Sequence, residues 1–170
     1  IGSGVIINNR LFRGFRGQAG EVGRTLTKNA QGQLTPIEQI CSEDAIINRI
    51  SDELGLTGLN RYKVVEMYRE HNQNVVAAID EFIQEISSLI YNSSMYFDTG
   101  AIYLGSPLME AAPEIFDQVL IKVQQLSHSE IKLVRLTDSD KATLLGACSV
   151  ITHYALDLVG YPLNFFKTKS

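Results

Sequence analysis

The sequence predicts an α/β fold, a mixed sheet flanked by helices, on three observations. Short β-branched runs separated by glycine-rich turns open the chain. Apolar stripes at helical spacing fill its middle, and a strand–helix–strand–helix order closes it. The early strands are expected to pair antiparallel and the late ones parallel, in one sheet. With 170 residues, 45% of them hydrophobic and 20% charged, the chain has enough apolar material for one domain with a core. No internal repeat or low-complexity tract interrupts it.

The elements follow in order. Val5 to Asn8 reads as a strand and Asn8-Asn9 as a tight hairpin turn, since asparagine tolerates left-handed backbone. Arg10 to Arg13 returns, and Val22 to Leu26 resumes a strand after a glycine-rich loop. Lys28 to Thr35 is polar and reads as a loop. Thr35 is expected to cap a helix with Pro36 at its first position. Ser42-Glu43-Asp44 begins a second cap, followed by Ala45, Ile46, Ile50 and Leu54 at helical spacing, with Gly55 as the stop.

Tyr62 to His71 is expected to be helical, with Val64, Val65, Met67 and Tyr68 as its apolar face. Asn72 to Asn74 breaks or caps. Val75 to Tyr91 follows as a long helix whose stripe is Val75, Ile79, Phe82, Ile83, Ile86, Leu89 and Ile90. Asp98 to Gly100 is a turn and Ala101 to Leu104 a short buried strand. Leu108 to Leu126 is a helix in which Pro113 marks a new start after a short first turn. Ile131 to Leu136 alternates like a strand. Thr137-Asp138-Ser139-Asp140 caps a final helix, Lys141 to Leu158, closed by Gly160-Tyr161-Pro162, and Gly146 is read as a point of close helix packing. In the tail, Phe165-Phe166 is expected to dock on the body or on a partner.

Charge and composition exclude several functions. A net charge of −4 gives no electrostatic footprint for nucleic acid. No basic cluster suits an anionic membrane, and no apolar run approaches the ~20 residues of a membrane span. The start has neither the basic nor the apolar region of a signal peptide. It begins with Ile1, directly in a glycine-rich strand, and is expected to be a piece of a longer chain. Cys41 and Cys148, each on an expected helix, read as buried reduced thiols of a cytoplasmic protein. His71, His128 and His153 have no cysteine or carboxylate at ligand spacing in the sequence and read as surface or core residues. No Walker A motif or nucleophile elbow appears.

The chemistry concentrates in Gly14 to Arg24, G-F-R-G-Q-A-G-E-V-G-R. Glycines on both sides of Glu21 let the backbone turn sharply and approach a ligand, and the carboxylate can meet hydroxyl groups. The same residues also fit a plain interstrand loop with a solvated glutamate. The flanks add to this stretch. Gly2 and Gly4, the run Val5-Ile6-Ile7, the Asn8-Asn9 turn, Leu11-Phe12-Arg13-Gly14 and Gly17-Gln18-Ala19-Gly20-Glu21-Val22-Gly23 stand in order. Together they resemble the ROK family of sugar kinases and sugar-responsive repressors. That family carries G-x-G-x-G, a short apolar strand, L-[YF]-R-G and G-x-A-G-E-x-G-H.

The resemblance implies the C-terminal lobe of the actin-like ATPase (ribonuclease H-like) fold, as a single lobe over residues 1–170. It implies sugar contacts from Glu21 and Glu38, and from Arg24, which stands where the family has histidine. Glu38 also fits a first-turn acid stabilised by the helix dipole. Arg24 fits equally a hydroxyl or phosphate contact, an ion pair with Glu21, or a surface charge. Gly2, Ser3 and Gly4 correspond to the second half of a phosphate loop. Gly105 and Ser106 fall where the family shows two glycines at the edge of the adenosine site, and a Cβ at Ser106 argues against tight nucleotide binding; the same residues also fit an ordinary strand-to-helix loop.

Most of the family carries a zinc loop at residues 28–35, C-x-C-G-x-x-G-C, completed by the motif histidine. Its cysteines and histidine are missing here, so no zinc is expected. The expected function is the sugar-sensing and dimerisation lobe of a ROK repressor. Its partners would be a sugar or sugar phosphate and a second subunit, with DNA contacted only through an N-terminal domain outside this chain. No cofactor is expected. The alternative is the C-terminal lobe of a ROK sugar kinase, which would use Mg-ATP with catalytic residues outside this chain.

Overall fold

A computed structural model describes residues 1–8, 10–127 and 130–156. The chain divides into two compact units, residues 1–24 with 140–170, and residues 25–139. The expected closing turn at Gly160-Tyr161-Pro162, the tail phenylalanines, His128 and Asn9 lie outside the described residues.

In the first unit, β1 (Val5–Ile7) and β2 (Arg10–Phe12) form an antiparallel ribbon with Ile6 opposite Leu11. Asn8 turns the chain with φ 52°, the left-handed conformation its short polar side chain tolerates. The expected strand from Val22 is instead a 3-10 turn, Val22–Arg24. The Arg24 N–H donates to the Glu21 carbonyl at 3.1 Å, so the glycine-flanked chain closes a turn before it can extend.

The second unit begins with a second antiparallel ribbon, β3 (Leu26–Lys28) and β4 (Leu34–Pro36). The expected polar loop is therefore a hairpin. Thr35 and Pro36 are its returning strand, not a helix cap, and helix α1 (Glu38–Cys41) starts after Ile37 with no side-chain cap. The Ile37 N–H donates to the Thr25 carbonyl at 2.8 Å, holding this stretch to the strand register rather than releasing it into a helix.

Ser42 breaks the helix with extended backbone and caps α2 (Glu43–Leu54), its hydroxyl accepting from the Ala45 N–H at 3.2 Å. Gly55 ends α2 in the left-handed conformation. Asn60 caps α3 (Arg61–Arg69), and Asn72 caps α4 (Gln73–Phe97). The long helix runs six residues past its expected end, because nothing between Tyr91 and Phe97 breaks it until Asp98 turns left-handed at φ 46°.

Helix α4 is the axis of this unit. Its stripe of Val75, Ile79, Phe82, Ile83, Ile86 and Ile90 is buried in the core of this unit. It packs on α2 and on α6 (Pro113–Leu126), which contributes Ile115, Phe116, Val119 and Val123. Pro113 restarts the helix after the short α5 (Pro107–Ala111).

A parallel pair, β5 (Ile102–Leu104) and β6 (Leu133–Arg135), brackets α5 and α6 as a crossover. β5 is half-covered rather than buried, with Tyr103 exposed. The fold is mixed α/β as expected, but its six strands form three two-stranded ribbons among the described residues. Each strand has only three residues, enough for one short ladder apiece.

The last helix, α7 (Ser139–Ala155), buries no residue. No side chain or backbone lies within 4 Å of a Cβ placed on Gly146, which therefore makes no close helix contact among the described residues. Its Cys148 is exposed, against the expectation of a buried thiol, because apolar residues are distributed all round this helix and only Ser139, Ala142, Ser149 and His153 on it are half-buried among the described residues.

Candidate functional site

The glycine-rich loop is held by a clasp that pattern reading missed. The Gly20 carbonyl accepts two bonds from Ser3, one from its N–H at 2.8 Å and one from its hydroxyl at 3.0 Å. Gly20 sits at φ 94°, and a Cβ there would lie 3.0 Å from the Ser3 carbonyl carbon and closer still to its oxygen. Only glycine fits this approach. Ala19 is tied back to Arg13, its N–H donating to that carbonyl at 3.2 Å.

The clasp fixes the residue before Glu21, so the carboxylate emerges from a constrained turn. Glu21 and Arg24 lie three residues apart on that turn, both exposed. No ion pair joins them among the described residues, which removes one of the three readings of Arg24. The clasp also changes the reading of Gly2-Ser3-Gly4. The Ser3 N–H already serves Gly20, so the middle of this segment has no amide to offer a phosphate.

In the second unit, Glu38 opens α1 and is half-buried. Its carbonyl accepts from the Ser42 N–H at 3.2 Å, and the break at Ser42 limits α1 to one turn. A carboxylate in the first turn of a helix is favoured by the exposed N–H groups there. Cys41 at the end of the same turn is 1% exposed. Burial foremost, and then the Glu85 carboxylate, pushes its thiol up to about 12, so it is a neutral core group at physiological pH.

At the C-terminal end of β5, Gly105 and Ser106 have structural work. A Cβ at Gly105 would lie 2.9 Å from the Ser139 Cβ, so the position admits only glycine without displacement. The Ser106 hydroxyl caps α5, accepting from the Met109 N–H at 3.3 Å. Glu110 on α5 in turn accepts from the Ser139 N–H at 2.8 Å, fixing the last residue of the second unit. Gly105 and Ser106 thus form an ordinary strand-to-helix loop between β5 and α5. The serine that stands where the family has glycine is the helix cap.

Among the described residues, no three His, Cys, Asp or Glu side chains gather into a possible metal centre. No helix among them is long and apolar enough to cross a membrane.

These features agree with what the chain is similar to. It is 38% identical to a xylose repressor of Lactiplantibacillus pentosus over 97% of its own length, and spans 43% of that protein. It is 36% identical to a xylose repressor of Staphylococcus xylosus over 96% of its length, spanning 44% of that protein. The chain thus spans less than half the length of these relatives. Among solved structures, a ROK family glucokinase from Streptomyces griseus, in complex with glucose and AMPPNP, superimposes with a TM-score of 0.71 at 20% identity. That match covers 86% of this chain and 55% of the glucokinase, and it shows the fold, mixed α/β of the actin-like ATPase kind. The ROK family model matches residues 1–153, and the chain belongs to the ROK family.

Proposed function

We propose that this chain is the sugar-sensing and dimerisation lobe of a xylose-responsive transcriptional repressor. The observation that carries the reading is its identity of 38% and 36%, over nearly its whole length, to two proteins named xylose repressor. Glu21, Arg24 and Glu38 contact the sugar hydroxyls. Carboxylates and a guanidinium suit this task, because charge-assisted hydrogen bonds to hydroxyls are directional and strong.

Xylose acts by population shift. It binds one arrangement of the homodimer better than the other, and so moves the DNA-binding portions that lie outside this chain. A net charge of −4 fits a lobe that does not itself touch DNA.

The parent protein is proposed to be a sensor without catalytic activity. The Ser3 amide spent on Gly20 and the capping Ser106 both support this, since each occupies a position where the family resemblance implies a phosphate or nucleotide contact. No metal or nucleotide cofactor is proposed.

The test is D-xylose titration of the full-length protein and its Glu21→Gln variant. Replacing the charged acceptor should weaken xylose binding about 10- to 100-fold, the range expected when a hydrogen bond to a charged group is lost. Unchanged affinity would remove Glu21 from the site. ADP release with Mg-ATP and a panel of hexoses, pentoses and amino sugars decides the catalytic question. Sugar-dependent turnover would overturn the sensor reading in favour of a sugar kinase.

A further inference from the structure

The family resemblance implies a structural zinc at residues 28–35, and the residues present do not fit one. Between Lys28 and Thr35 the chain reads Asn29, Ala30, Gln31, Gly32, Gln33 and Leu34, with no thiol, imidazole or carboxylate. Arg24 stands in place of the histidine, and the nearby Cys41 is buried as a neutral thiol.

The hairpin is closed instead by one amide side chain. The Asn29 Oδ1 accepts from the Gln31 N–H at 3.0 Å and from the Gln33 N–H at 2.9 Å. The Asn29 main chain adds two bonds, its N–H donating to the Gln33 carbonyl at 2.9 Å and its carbonyl accepting from the Gly32 N–H at 2.8 Å. With the Asn29 Nδ2 donating to the Gln33 Oε1 at 3.4 Å, five hydrogen bonds converge on one residue within a five-residue span.

Both strands leaving this turn are anchored by threonine. The Thr27 hydroxyl donates to the Glu85 carboxylate on α4 at 3.1 Å, and the Thr35 hydroxyl donates to Gln39 on α1 at 2.8 Å. β4 then runs through Pro36 and Ile37 into Glu38.

We propose that Asn29 is a positioning residue that does the work of the absent metal, locking the β3–β4 hairpin and through it the α1 turn that carries Glu38. The lock stands on the hairpin's own hydrogen bonds. Only its consequence for sugar binding rests on the sensing role of Glu38.

The test uses the full-length protein, its Asn29→Ala variant and its Asn29→Asp variant. Amide hydrogen exchange is read at residues 31 and 33, with and without a zinc chelator, and bound zinc is measured by elemental analysis. The two side-chain bonds that hold the Gln31 and Gln33 amides fall on Oδ1, which aspartate keeps, and only the exposed Nδ2 bond to the Gln33 side chain at 3.4 Å is lost. Asn29→Ala should therefore exchange these amides about tenfold faster or more, and Asn29→Asp should restore protection. The chelator should leave exchange unchanged and zinc should be well below one per chain.

Stoichiometric zinc whose removal speeds exchange would overturn the proposal, as would Ala and Asp variants that behave alike. D-xylose titration of the same three proteins reads the consequence. Weaker binding by Asn29→Ala, restored in Asn29→Asp, is expected. Unchanged binding by Asn29→Ala would end its positioning role. If the wild type does not bind xylose, the sensing reading fails while the exchange data still decide the lock.

Discussion

Gly20→Ala is the sharpest test of the clasp that precedes Glu21. The backbone at Gly20 has φ 94°, which an L side chain resists at a cost of roughly 1–2 kcal/mol. The added Cβ would also lie 3.0 Å from the Ser3 carbonyl carbon, so the segment must shift and loosen the Ser3 bonds to Gly20. Losing one such hydrogen bond costs about 1 kcal/mol. The lower chain entropy of unfolded alanine returns about 0.4–1 kcal/mol, leaving a net destabilisation of about 2 kcal/mol for the local turn.

Gly17→Ala is the control. It has φ 71° and nothing within 4 Å of the added Cβ, so it carries the conformational cost alone and should lose about 1 kcal/mol or less. Hydrogen exchange over residues 1–24 in the full-length protein reads the local opening directly, without requiring a two-state global transition. The Ser3 amide should exchange at least several-fold faster in Gly20→Ala than in Gly17→Ala. If the two variants protect Ser3 equally, the close approach has no energetic weight and the clasp does not hold Glu21.

Two further predictions concern titratable groups. Cys41, with its thiol pushed up to about 12, should resist alkylation at pH 8 while the exposed Cys148 reacts, and both should react in denaturant. Because the folded-state value lies above the ordinary 9.0, Cys41 stabilises the fold fully below pH 9, and the contribution fades as pH rises towards 12. Glu114 behaves in the opposite sense. Its hydrogen bond from Arg69 lowers its carboxyl below the ordinary 4.5, so the pair contributes above that pH and loses its effect as pH falls through the folded value. The stability difference between wild type and Glu114→Gln should be small at pH 7, as for exposed pairs generally, and should vanish in acid. A difference that grows on acidification would contradict the assignment.

Some of this molecule was legible residue by residue. The caps at Ser42 and Asn72, the stop at Gly55, the restart at Pro113 and the buried stripe of α4 follow from local backbone chemistry and 3.6-residue spacing. The ordered glycine motifs from Gly2 to Gly23 carried the family, because each requires a backbone geometry that few residues permit.

Other features depended on partners distant in sequence. Thr35-Pro36 has the chemistry of a helix start, yet the pairing of Thr35 with Thr27 makes it a strand. Val22 and its neighbours have strand propensity, yet the Glu21–Arg24 bond closes a turn. Asn29 and Gly32 carried a turn signal that could have been read, but the hairpin also needs the opposing strand.

By itself, the sequence determined the fold class, the family and the candidate residues Glu21, Arg24 and Glu38, since motif order and apolar periodicity are properties of the chain alone. Only the tertiary structure decided what Ser3, Ser106 and Asn29 do. A hydroxyl or an amide can bond to ligand, metal or backbone. Which of these it does depends on whether folding brings a backbone partner within about 3 Å of it.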